Sequence, residues 1–210
     1  MKKVILASFV AMGMAHSAFA VTAQSGVYVG GNLGWSFADK PSTNANQLNA
    51  TSVSNQNVTW GGTIGYDYAF TQNWLAGVEA SYVNFGSNTY DNFLDTTTNT
   101  KLANWGIQLM ATGTYLMDNG FNAFAKLGGI DQHMTASNSF PLNVNGDNSI
   151  SNWLPATAIG VGYMPMQNLN VALQYEHTFG TNWDNDNLTG SPKPMTQNAL
   201  TLGVTYKFGM

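Results

Sequence analysis

Apolar and polar residues alternate along most of this chain, and the alternation keeps one side free of charge. Eight segments carry the pattern: 26–37, 57–70, 74–85, 102–116, 121–130, 153–164, 169–179 and 197–208. Val27, Leu33 and Trp35 mark the apolar side of the first, Val58, Ile64 and Tyr68 that of the second, and Leu200, Val204 and Phe208 that of the last. The other side holds mostly Gly, Ala, Ser, Thr, Asn and Gln. A period of two is that of a β-strand with two unlike faces. The charged residues within these segments, Asp67, Glu79, Lys126, Glu176 and Lys207, all fall on the polar parity. The third segment is the least regular, because Leu75, Val83 and Phe85 share the polar side.

The connections alternate in length. Those at 71–73, 118–120 and 165–168 are short, and those at 38–56, 86–101, 131–152 and 180–196 are long. Asp118-Asn119-Gly120 is a strong turn signal. Alternation in order puts every short turn at one end and every long connection at the other. Aromatic residues gather at both ends of the apolar side, with Val, Ile, Leu and Ala between them. Two aromatic girdles around an aliphatic band mark the two membrane interfaces. The predicted fold is therefore all-β: an eight-stranded antiparallel up-and-down transmembrane β-barrel with short periplasmic turns and four long extracellular loops.

Composition supports a lipid-facing exterior. Only 9% of the 210 residues are charged, against roughly a quarter in a soluble domain. Residues 1–20 read as a signal peptide: Lys2 and Lys3, an apolar run, then Ala18-Phe19-Ala20. Residues 21–210 are then the barrel domain, in the Gram-negative outer membrane. Beyond residue 20 the chain has five Lys, no Arg and eleven acidic residues, a formal charge of −6. That balance argues against nucleic acid as a partner. There is no Cys, so no disulfide supports the fold.

These residues resemble a known family, the small eight-stranded outer-membrane barrels similar to the transmembrane domain of outer-membrane protein A and to opacity-type, porin-like proteins. The resemblance covers essentially the whole chain after residue 20. It rests on the run from Trp74 to Tyr82, on Ala125-Lys126-Leu127-Gly128, on Ile159 to His177, and on the last strand. In that strand Thr201, Gly203, Tyr206 and Phe208 are similar to the signal such barrels present to the barrel assembly machinery, with Gly209 and Met210 following. The resemblance implies outer-membrane lipid and lipopolysaccharide as surroundings. It does not carry over a peptidoglycan-binding domain.

Function follows from the two faces and the loops. A barrel of eight strands is just wide enough to be filled by side chains or to hold a small ligand. Glu79 and Lys126 sit at similar height and are expected to pair in the lumen, as are Asp67 and Lys207, because buried charges need partners. The expectation is a polar plug that fixes the barrel; the alternative is a narrow ion or small-solute pore.

An enzyme that trims lipid A is the less favoured reading. His177 points outward beside Glu176, but Glu176 points inward, and Thr178-Phe179 follow where a His-x-Ser motif needs serine. No catalytic residue, cofactor or metal is expected: Asp184-Asn185-Asp186-Asn187 begins like a calcium loop but lacks its glycine and distal glutamate. Exposed loops on a rigid scaffold commonly carry binding. Tyr90, Phe93, Phe140 and Trp183, with Leu48, Leu94, Leu142 and Leu188, are the candidates for contact with a host or cell-surface ligand.

Overall fold

A computed structural model describes residues 21–38, 52–54, 56–91, 100–136, 149–180 and 196–209. Nine strands are present among them: β1 Gly26–Ala38, β2 Ser52–Ser54, β3 Gln56–Ala69, β4 Trp74–Asp91, β5 Thr100–Leu116, β6 Phe121–Ala136, β7 Ser149–Met166, β8 Leu169–Thr178 and β9 Gln197–Gly209. All pairings are antiparallel. Eight strands close on themselves, because β4 pairs with β5 while β1 pairs with β9. The three-residue β2 only extends the rim beside β4. Closure leaves no open edge, which is what a sheet in hydrocarbon requires.

The ladders are staggered. From Gly31 the pairing runs through Gly62, Tyr82, Ile107 and Asp131 to Trp153 on β7. Followed the other way, through Val204 and Val171, it reaches Tyr163, ten residues nearer the short turns. Such a stagger goes with strands tilted to the barrel axis.

Side chains alternate as the sequence predicts. Val58 is 58% exposed, Leu127 68% and Leu202 53%, while their neighbours Thr59, Lys126 and Thr201 point inside. Phe70, Trp74, Tyr115, Phe121 and Phe208 ring the short-turn end, and Trp35, Trp60, Trp153 and Phe179 ring the other. Gly120 carries a left-handed φ of 83° in the turn after β5, a conformation that suits Gly.

Three expectations are corrected. The connections placed at 86–101 and 131–152 are shorter, since β4 runs to Asp91, β5 starts at Thr100, β6 runs to Ala136 and β7 starts at Ser149. The apolar alternation stops where the strands leave hydrocarbon, but hairpin pairing continues, with Asp131, His133, Ser149 and Ser151 outward and Met134 and Ile150 buried inside. The extension also breaks the rule of parity: Asp131 lies on the outward side of β6, opposite the outward Trp153. The turn placed at 165–168 is tighter, because Pro165 belongs to β7 beside a register shift between Tyr163 and Met166. An irregular ladder near a strand end tolerates its missing N–H.

Tyr90 falls within β4, paired with Val53 and Thr100. The proposed signal peptide, Leu48, Phe93, Leu94, Phe140, Leu142, Trp183, Leu188 and the run 184–187 lie outside the described residues.

Candidate functional site

The lumen is built in two storeys. The lower storey, toward the short turns, is polar. Lys126 on β6 reaches across β5 to Glu79 on β4, and its ammonium lies 2.8 Å from both carboxylate oxygens. Tyr28 donates its hydroxyl to Glu79 Oε2 at 2.9 Å, and Ser81 donates to Oε1 at 3.1 Å. Thr63 extends the network, 2.8 Å from the Ser81 hydroxyl. Nearer the turns, Lys207 on β9 spans β1 to meet Asp67 on β3 at 2.6 Å. Its ammonium also donates to the Gln24 carbonyl.

The structure thus brings together both pairs, each across one intervening strand. Among the described residues no lysine forms an ion pair with Glu176. It accepts from Gln108 on the facing wall and from Gln174 at 3.3 Å. A cavity of about 120 Å³ remains among these groups, lined by Asn32, Thr112, Asn170 and Thr205 as well.

The upper storey holds an apolar cluster among buried polar side chains, Ser36, Thr59, Asn104, Gln132, Thr178 and Gln197. Val83 and Phe85 follow Glu79 toward the long connections on β4, Ile130 follows Lys126 on β6, and Leu154 lies beyond Ala158, the residue paired with both Lys126 and Glu176. With Met110, Ala156 and Ala199 they form one buried cluster, and Ile130 is fully buried. The largest member, Phe85, keeps the inward parity of Glu79, Ser81 and Val83 and sits at a bulge. β4 and β5 shift register between Asn84 and Gly86, so Phe85 has no partner in the ladder. Gly86 takes a φ of 80° there, and its N–H donates to Asn84 Oδ1 at 2.9 Å. The Phe85 carbonyl accepts from Ser36 Oγ at 2.6 Å.

The sequence reading had singled out the charges and missed their neutral partners. Tyr28 had a signal, being the one aromatic on the inward side of β1; its ring lies where a side chain on Gly65 would stand. The upper storey had one too. Met110, Ile130 and Leu154 carry inward parity among polar neighbours, as Val83 and Phe85 do.

On the outer surface, His177 Nδ1 lies 2.7 Å from Asn198 Oδ1, which also accepts from the Tyr175 hydroxyl at 2.8 Å. Glu176 is on the other side of the wall, 5% exposed. The imidazole and that carboxylate cannot act on one substrate.

Residues 5–208 match the family model described as the outer membrane protein beta-barrel domain. The chain belongs to this outer-membrane β-barrel family. The chain is 26% identical over 219 residues to outer membrane protein A of Yersinia pseudotuberculosis serotype I (strain IP32953). That alignment covers 100% of the chain, which spans 56% of the length of this curated relative. Among solved structures, Ail, the attachment invasion locus protein of Yersinia pestis, aligns at TM-score 0.54 and 14% identity, covering 88% of this chain and 98% of that one. OprG of Pseudomonas aeruginosa aligns at TM-score 0.51 and 12% identity, covering 91% and 100%. Both show the same fold. Within it the terminal-strand residues split by face: Thr201 and Gly203 line the lumen, and Tyr206 and Phe208 face outward, their rings 5.1 Å apart edge to face.

Proposed function

We propose that this outer-membrane barrel is a closed, rigid scaffold whose long connections meet partners outside the cell, and that it conducts no ions and performs no catalysis. The apolar storey carries this reading. Phe85, Val83, Ile130, Leu154 and Met110 stand across the path an ion would take, and a dry constriction is a barrier to a hydrated charge. Below it four of the five lumen charges are paired rather than aligned along a path, and Glu176 is held by Gln108 and Gln174. A filled lumen serves no transport, which leaves the extracellular side as the working surface. The name of Ail, attachment invasion locus protein, is of that kind, although likeness to it extends to fold only. Export by the N-terminal leader and insertion through Thr201, Gly203, Tyr206 and Phe208 belong to the same reading.

The 120 Å³ polar cavity favours a second reading, a narrow pore opened by movement of the plug. Planar-bilayer recording separates the two. The scaffold reading expects no stepwise current from the wild type, and stepwise current once Phe85→Ser and Ile130→Ser wet the upper storey. Reproducible openings of the wild type that vanish in Lys126→Ala refute it. Replacing the long connections by short turns tests the surface role: binding to host cells is expected to fall while heat-modifiable gel mobility is kept.

A further inference from the structure

A carboxylate on the lipid-facing side of a membrane barrel is costly at depth and tolerated only near the interface. Asp131 is such a group, 44% exposed on the outward side of β6. It stands at the outer aromatic girdle: Trp153 is its direct partner on β7, and Trp105 on β5 is the partner of His133. Its side chain is held from two sides. Ser151 donates to Oδ1 at 2.8 Å, and His133 Nε2 lies 3.4 Å from Oδ2. His133 is stacked on Trp105, centroids 4.2 Å apart and planes 9° from parallel. Trp153 lies against Gly129, its indole occupying the space a side chain there would need, so the ring is laid along the wall and remains 58% exposed. On the opposite wall, Trp35 on β1 is paired with the apolar Val58 and Leu200, whereas Tyr82 and Trp60 continue the aromatic row from Trp105, at 5.9 and 5.7 Å between successive rings.

We propose that Asp131, Ser151, His133 and the two indoles form a binding site for the saccharide headgroup of an outer-leaflet glycolipid. A flat exposed indole offers a face for the C–H side of a sugar ring. The fixed carboxylate keeps free lone pairs for sugar hydroxyls, and such charge-assisted hydrogen bonds are the stronger kind. The site's height decides the source, since a girdle tryptophan lies where headgroups begin. The negative charge favours a hydroxyl-bearing group over a bare phosphate. Ser151 donates to Asp131 rather than to an imidazole, so its hydroxyl is not activated for attack and the arrangement binds rather than cleaves. This surface is separate from the long connections, and the proposal stands or falls independently of their role.

The test uses the full barrel folded in nanodiscs of phosphatidylcholine with and without lipopolysaccharide. Glycolipid retained after detergent exchange and the rise in unfolding temperature that it confers are measured. Asp131→Ala and Trp153→Leu are each expected to lower retention roughly tenfold, the scale of one charge-assisted hydrogen bond, and to remove most of the thermal rise. Trp35→Leu, on the opposite wall, is expected to keep both. Equal loss in Trp35→Leu, unchanged retention in Asp131→Ala, or an equal thermal rise from phosphatidylethanolamine overturns the proposal. A thermal rise from delipidated oligosaccharide alone, absent in Asp131→Ala, sustains the saccharide and moves its source to solution. Heat-modifiable mobility of each variant shows that it has folded.

Discussion

Lys126 and Glu79 show how one residue can hold a wall in place. With Glu79 6% and Lys126 14% exposed, removing either partner strands a charge in the lumen, whereas removing both leaves a neutral site. Lys126→Met is expected to lower stability by about 3 kcal/mol, the size found for breaking buried pairs. Adding Glu79→Gln recovers much of it, because the amide oxygen still accepts from one of the Tyr28 and Ser81 hydroxyls while its NH2 donates to the other. Urea unfolding in vesicles, followed by Trp fluorescence, measures both. Glu79 and Lys126 were visible in the sequence because charge is rare here and parity placed both inside. Tyr28, Ser81 and Gln108 were less visible, since a hydroxyl or amide on a polar face is what any lumen position carries. Only the three-dimensional register tells which of them meets a carboxylate.

At the scale of the strand, β4 is the element that departs from regularity, and the departure sets the plug. Its alternation is spoiled by Leu75, Val83 and Phe85, a fault in the pattern that marks the strand whose side chains fill the lumen. The bulge at Phe85 was not legible, because it depends on Gly86 adopting a positive φ opposite Trp105 and Asn104. A Cβ at Gly86 would lie 2.7 Å from Asn57 Cβ in addition to the conformational strain. Gly86→Ala is therefore expected to cost more than the roughly 1 kcal/mol of a left-handed alanine. It is also expected to loosen Phe85, read as faster hydrogen exchange at Ser36 and Phe85. Strand ends were misplaced for a different reason. The lipid imposes alternation only within its own thickness, and beyond it the β4–β5 and β6–β7 hairpins continue without that constraint.

For the whole molecule, the fold was legible because hydrocarbon reads every outward position the same way. Parity, girdles and the order of short and long connections each report one surface, and they agree. The lumen answers to no such uniform solvent, so its division into polar and apolar storeys appeared only with the register. A closed barrel with a filled interior and paired charges resists unfolding by detergent alone. Unheated samples in dodecyl sulfate are therefore expected to migrate ahead of boiled ones. Lys126→Met is expected to convert to the slow form at a lower temperature than the wild type, on a gel run over a heating series.

The seam between β1 and β9 has a consequence for synthesis. Its two sides are the earliest and latest parts of the barrel to leave the ribosome, and they are paired along their full length from Gly26 with Gly209 to Ala38 with Gln197. Until the last strand arrives, the first has no lasting mate on that side, and its amides have nothing to bind within an oily phase. The seam therefore stays open until the last strand pairs, and zipping it is the step that closes the barrel.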